Sequence, residues 1–166
     1  YSLYNNFWIG KADAVVTLTQ GDAKNWRRVS RNVHVIPNIV HLSEGGVSNY
    51  QNKRAIWVGR FDYQKRPMEI IRIWRQIHPF FPDWHLDNYG DGEQKQELQE
   101  AISPQDMNIH LHEPTNHIYE AYRNSSILVV TSLYEPFGLV IPEAMSCGLP
   151  VVSYNSPYGP SSIITN

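Results

Sequence analysis

Short runs rich in β-branched residues recur along this chain, each followed by a turn and a segment whose apolar residues fall at helical spacing. That alternation is the strongest constraint on the fold, because parallel strands need long crossover connections and a helix is the usual one. Strands are expected at 14–18, 34–36, 55–59, 85–89, 109–112, 127–131 and 151–154, with helices at 22–31, 68–78, 93–102, 118–123 and 139–147. Pro67 stands where a first helical residue would, since the N–H it lacks has no partner there anyway. The pattern predicts an α/β chain with an open parallel sheet.

The pattern breaks at 41–53, a polar stretch holding Gly45, Gly46 and Ser48, which reads as a linker. Residues 1–40 then look like the end of one domain and 54–166 like most of another. A length of 166 residues suits one α/β domain and is short for a two-domain enzyme. The chain opens without methionine and stops abruptly at IITN, so it reads as an excised piece truncated at its C-terminus. Fourteen basic side chains stand against 16 acidic ones with no basic block, which argues against a nucleic-acid partner. The single cysteine, Cys147, excludes an intrachain disulfide framework and fits a reducing, cytoplasmic compartment. No apolar run approaches the roughly 20 residues that span a bilayer, and YSLYNNFWIG lacks the basic start and apolar core of a signal peptide.

The most informative stretch is Glu135-Pro-Phe-Gly-Leu-Val-Ile-Pro-Glu143, between an expected strand and a helix that should stop at Gly148. A helix starting near Gly138 leaves its first amides without internal partners, so N–H groups around Gly138–Val140 can face an anion. Pro142 in the first turn costs little, and Gly138, lacking a Cβ, lets a ligand approach the backbone. Glu135 before the helix and Glu143 about one turn into it can accept hydrogen bonds from hydroxyls at two ends of a ligand. Two sugars bridged by phosphates fit that arrangement.

A second motif, Trp57-Val-Gly-Arg-Phe-Asp-Tyr-Gln-Lys65, ends a strand at Gly59 and delivers Arg60 and Lys65 into the following loop. In open α/β sheets ligands bind beyond the carboxyl ends of the strands, where both motifs lie. Arg60 can fork onto phosphate oxygens, Lys65 can act as a point charge on the same group, and both can stabilise a departing diphosphate.

Together, G-R-x-x-x-x-K after a strand and E-P-F-G-L-V-I-P-E-A-M-S-C-G-L-P-V-V further on resemble the family-4 glycosyltransferases of the GT-B fold. The resemblance covers nearly the whole chain, since ADAVVTLTQGDAKNW and VHVIPNIV are similar to the end of that family's acceptor domain. It implies a Rossmann-like parallel sheet with helices on both faces, the donor half of a GT-B enzyme. It further implies that Arg60 and Lys65 hold the diphosphate, that Glu135 contacts the donor sugar, and that Glu143 binds the ribose hydroxyls. Amides of Phe137, Gly138, Leu139 and Val140 would meet sugar and phosphate, and backbone groups near His112, Glu113 and Pro114 would touch the nucleobase. Gly90 and Gly92 in DNYGDGE would be turn residues near the phosphates. The implied activity is retaining transfer of a hexose from a nucleotide-sugar, UDP by expectation, to a glycan or lipid-linked acceptor in polysaccharide assembly, without a required metal or other cofactor. Contact with the inner membrane face, if any, would come through the missing domain. The family's glycine-rich loop and catalytic histidine fall outside this chain, so the fragment alone is expected to be inactive.

Plainer readings compete. Glu135 could cap the next helix and Glu143 could be an exposed first-turn carboxylate favoured by the dipole, a reading outweighed by their pairing with Pro136, Phe137 and Gly138. His110 and His112 alternate on one strand like a metal pair, but no carboxylate or cysteine supports them at sequence spacing. Cys147, Ile70 and Trp74 read as core, and 158–162 as a plain turn, although the equivalent region in the family often lies close to the donor, which makes it a secondary candidate. Rival functions are a non-catalytic nucleotide-binding module, a GT-B nucleotide-sugar epimerase and a phosphorylase, the last two lacking a motif here.

Overall fold

The computed structural model describes residues 9, 11–103, 106 and 108–164. They form two compact units: one takes in the described residues up to 39 with 134–139 and those from 155 onward, the other 40–133 and 140–154.

In the smaller unit β1 (Val15–Thr17) pairs in parallel with β2 (Val33–Val35), and α1 (Gln20–Trp26) connects them. This helix begins earlier and ends sooner than the predicted 22–31. Thr19 caps it, its hydroxyl accepting the Asp22 N–H at 3.2 Å, and after Trp26 the N–H groups of Val29 and Ser30 turn back onto the Trp26 carbonyl.

The larger unit is built from β3 (Arg54–Val58), α2 (Pro67–Ile77), β4 (His85–Tyr89), α3 (Lys95–Ala101), β5 (Ile109–His112), α4 (Ile118–Arg123), β6 (Ile127–Val130), α5 (Val140–Ser146) and β7 (Val151–Ser153). All neighbouring strands are parallel, in the order β5-β4-β3-β6-β7. This is the α/β, Rossmann-like sheet that the alternation predicts. Helix α3 is shorter than 93–102 because the Gln94 N–H is taken by the Phe61 carbonyl at 2.9 Å, which holds the preceding residues in a turn.

One sheet face carries Ala55, Trp57, Leu86 and Ile109, packed against Ile70, Ile71 and Trp74 of α2 and Leu98 of α3. Each buried leucine and isoleucine among them contributes about 1.5–3 kcal/mol by leaving water. On β4 the apolar rule for parallel strands fails at Asp87 and Asn88, both buried. Asp87 accepts a bidentate pair from Arg54 on β3 at 2.7 and 3.0 Å, and Asn88 donates to the His110 carbonyl at 3.2 Å. The stretch 41–53 contains no helix or strand. It is tied to the larger unit by Ser48 N–H to the Cys147 carbonyl (2.7 Å), Tyr50 Oη to the Gly148 carbonyl (2.8 Å) and Asn52 Nδ2 to the Asn124 carbonyl (3.1 Å).

Back in the smaller unit, the segment read as a plain turn is a short helix, α6 (Gly159–Ile163). Pro160 sits in its first turn, where a missing N–H costs nothing, and Ser162 Oγ donates to the Tyr158 carbonyl at 2.8 Å.

Candidate functional site

Strand order reverses direction between β3 and β6, which makes that junction the topological switch point of the larger sheet. The loop leaving β3 there is 59–66, and its backbone is fixed on both sides. Toward β4, Gly59 N–H donates to the Tyr89 carbonyl at 3.1 Å and Phe61 N–H to the Asp91 carbonyl at 2.9 Å. Toward β6, Thr131 Oγ1 accepts from Trp57 Nε1 at 2.9 Å and donates to the Lys65 carbonyl at 2.9 Å. Leu133 N–H reaches the Gln64 carbonyl at 2.8 Å, and Asp62 Oδ1 accepts the Lys65 N–H at 2.9 Å. On this fixed frame the Arg60 side chain is 75% exposed, with Asp62 Oδ2 at the edge of ion-pair range, 3.9 Å away. A solvent-facing guanidinium carried by a braced loop at a switch point is suited to an anion.

Gly90 belongs to the same corner for a reason the sequence reading did not anticipate. A Cβ on it would lie 2.0 Å from the Gly59 carbonyl oxygen, and its N–H donates to the His112 carbonyl at 3.1 Å. The close approach that excludes a side chain is thus between two loops of this chain. His112 turns its ring onto Tyr89, centroids 4.4 Å apart, and its Nε2 lies 2.7 Å from Asp87 Oδ1. A carboxylate therefore does stand beside the His110/His112 strand, supplied by β4 and already held by Arg54. Glu113 is directed away to Lys95, with Nζ–Oε distances of 2.6 and 2.9 Å.

Glu143 lies in the first turn of α5, half-buried, with Pro142 just before it. Burial pushes its carboxyl above the ordinary 4.5, opposed by the Tyr122 hydroxyl and the charge of His41. The Tyr122 hydroxyl on α4 donates to Glu143 Oε2 over a long 3.4 Å, so most of the acceptor capacity of this carboxylate is uncommitted to that bond. Val140, the first residue of α5, belongs to the same unit.

The remaining predicted residues belong to the smaller unit. Glu135 is 5% exposed and its backbone forms a parallel bridge to Tyr158. Its N–H donates to the Pro157 carbonyl at 2.7 Å, and its carbonyl accepts from Tyr158 (2.9 Å) and Gly159 (2.7 Å). Behind it a Cβ on Gly159 would meet the Phe137 carbonyl at 1.9 Å, and Gly138 adopts φ +85°, open to glycine at little cost. Leu139 follows, 39% exposed.

The sequence model of the family described as "Glycosyl transferases group 1" matches residues 43–166. The chain belongs to that glycosyltransferase family. Its sequence is 34% identical over 174 residues to the amylovoran biosynthesis glycosyltransferase AmsD of Erwinia amylovora, covering 95% of this chain and 48% of AmsD. Its fold superposes on S. aureus TarM, solved in complex with fondaparinux, alpha-GlcNAc-glycerol and UDP, with a TM-score of 0.90 at 24% identity. That match covers 100% of this chain and 35% of TarM. The pneumococcal O-GlcNAc transferase GtfA, in complex with UDP and GlcNAc, superposes with a TM-score of 0.82 at 22% identity, covering 100% and 35%. The chain spans about half the length, or less, of the curated relatives it matches.

Three supports of this glycosyltransferase chain escaped the sequence reading. Asp62 had a local signal, an Asx-type turn closing on the amide three residues ahead. Thr131 and Tyr122 had none, because their contacts with the Lys65 loop and Glu143 cross 66 and 21 residues of chain.

Proposed function

We propose that the chain supplies the donor-binding part of a retaining family-4 hexosyltransferase that takes a UDP-linked hexose to a glycan or lipid-linked acceptor in polysaccharide assembly. The observation that carries this reading is Arg60, three-quarters exposed on a loop braced from both sides at the switch point. The ligands in the TarM and GtfA complexes, UDP among them, and the amylovoran role in the name of AmsD support it. In this reading 54–166 is the donor-binding domain, 41–53 a linker and 1–40 the end of the acceptor domain, which the family match from residue 43 supports.

Arg60 and Lys65 hold the diphosphate and stabilise its charge as it leaves. Removing one preorganised donor of that kind costs about 10²–10³ in rate. Glu143 accepts the ribose hydroxyls, repaying the desolvation of its carboxylate, and Glu135 positions the donor sugar while the acceptor hydroxyl attacks the anomeric carbon from the same face. Amides of Phe137, Gly138, Leu139 and Val140 meet sugar and phosphate, backbone near His112 and Glu113 meets the base, and Gly59 and Gly90 shape the loop corner. The charge on the leaving group is met by these side chains rather than by a metal. Its place is the cytoplasm, with any membrane contact made through the acceptor domain. Among the described residues no helix is long and apolar enough to cross a membrane.

Calorimetric titration of the chain with UDP, GDP and ADP, repeated with Arg60→Ala and Glu143→Ala after checking that each is folded, tests the reading. Saturable binding of UDP that both substitutions weaken is expected. Absence of binding by all three nucleotides, or binding indifferent to both substitutions, overturns it.

A further inference from the structure

Within the smaller unit, α1 and the Glu135 segment line a cavity of about 940 Å³ that none of Arg60, Lys65, Glu135 or Glu143 touches. Its lining includes the aromatic residues Trp26, Tyr134 and Tyr158, with Pro136, and the polar residues Asp22, Asn25 and Arg28. A largely apolar concavity of this size with a few placed polar groups is the usual form of a small-ligand site.

The walls are held in place by the local chain. Glu135 is held by its isolated bridge to Tyr158, and burial differs sharply between it and its two neighbours. Glu135 is turned inward at 5% exposure, while Tyr134 is 48% exposed and Pro136 is exposed beside it. The segment that buries the carboxylate thereby presents its two neighbours to the cavity. Across it the Tyr158 ring lies on Gly21 of α1, where a Cβ would come within 3.1 Å of Cδ1. The Asn25 Nδ2 donates to the Tyr158 hydroxyl, which leaves that hydroxyl's own proton to give.

We infer that this cavity, lined by none of those four donor residues, is a saccharide-binding subsite that holds a neutral pyranose unit of a glycan against Trp26, Tyr134 and Tyr158. A pyranose has an apolar C–H face and a rim of hydroxyls. The electron-rich faces of the aromatic rings complement the first, and Asp22, Asn25 and the Tyr158 hydroxyl complement the second. One acidic and one basic side chain, Asp22 and Arg28, leave the lining without net charge, so a neutral sugar is the ligand class that fits. The identity of the ligand as part of a glycan rests on the glycosyl-transfer reading.

The test is saturation-transfer NMR on this chain with methyl α-D-glucopyranoside as the probe, with and without saturating UDP. It is repeated with Trp26→Ala and, as a surface change that spares packing, Asp22→Ala, while UDP binding is titrated in parallel. Transfer to the pyranoside ring protons is expected, unaffected by UDP, reduced at least twofold in both variants, and accompanied by UDP affinity within twofold of the parent. Absence of transfer, transfer unchanged in both variants, or displacement by UDP, which would assign the sugar to the donor site, each overturns the subsite. Loss of UDP binding by the unsubstituted chain would instead strike the donor reading, so the two failures are distinguishable.

Discussion

Two glutamates of the larger unit lie in the first turn of their helices, and their surroundings send them opposite ways. Glu69 lies in the first turn of α2 and Glu143 in the first turn of α5, so both sit at the favourable end of a helix dipole. Glu69 is saturated: Arg72 forks onto its two oxygens at 2.7 and 3.0 Å, Tyr154 Oη donates at 2.8 Å, and Arg66 lies 3.4 Å away. The Arg72 bonds, then that from Tyr154, pull its carboxyl down to about 2. Glu143 is desolvated and, among the described residues, its carboxylate has one long bond, from Tyr122, so burial wins and its carboxyl rises. A dipole term of about 0.3–1 kcal/mol is common to both and decides neither. What separates a carboxylate that fastens the fold from one left able to bind is how much of its acceptor capacity the protein uses.

Ligand affinity gives the largest expected contrast. Glu143→Ala should weaken UDP binding about 10- to 100-fold, the range for losing hydrogen bonds to a charged group. Glu69→Ala should leave it within about twofold, since Arg72 and Tyr154 already occupy that carboxylate. Calorimetry on both variants checks this, and equal losses would break the comparison.

Stability should contrast the other way. Glu69→Ala is expected to cost about 1–2 kcal/mol at pH 7, read as a lower urea midpoint. Because the folded carboxyl is depressed from 4.5 to about 2, its contribution is present above pH 4.5 and is lost as pH falls toward 2. The gap between parent and variant should close over that window. Glu143→Gln has the opposite sign. A carboxyl raised in the folded state contributes stability below 4.5 that is lost as pH rises through its folded value. At pH 7 the neutral amide should therefore match or exceed the parent by about 0.5 kcal/mol or less, with no advantage at pH 4. A clear loss at pH 7 would mean that the charge is better satisfied than its 3.4 Å bond indicates.

The same contrast marks what the sequence could reveal. The sheet was legible because strand runs, crossover helices and Pro67 are local signals, and so was the placing of Arg60 after β3. Both Glu69 and Glu143 are first-turn glutamates in sequence, and only tertiary partners tell them apart. Asp87 and Asn88 break the apolar run of a parallel strand, and sequence alone does not explain it because the Arg54 that answers Asp87 lies on the neighbouring strand. Gly90 was expected as a turn residue near the phosphates, and the sequence could not say that the atom excluding a side chain there belongs to Gly59. The 158–162 segment was misread because a five-residue helix has too little periodicity to stand out from a turn.

The finest test is Tyr122→Phe. The Tyr122 ring is fully buried, and its hydroxyl is pushed well above the usual phenol range by burial first and the Glu143 charge second, so it stays a neutral donor at working pH. Phenylalanine keeps the packing and removes only that donor. Since the bond favours the charged form of Glu143, its loss should move the Glu143 titration midpoint further up, observable in the side-chain carboxyl carbon by NMR. At 3.4 Å the bond is weak, so stability at pH 7 should change by no more than about 0.5 kcal/mol and UDP affinity by less than in Glu143→Ala. A midpoint that does not move would mean that desolvation acts alone on Glu143 and that Tyr122 merely packs against it. A loss of UDP affinity as large as that of Glu143→Ala would mean instead that the hydroxyl itself reaches the ligand, and the uncommitted carboxylate would no longer be what distinguishes α5 from α2.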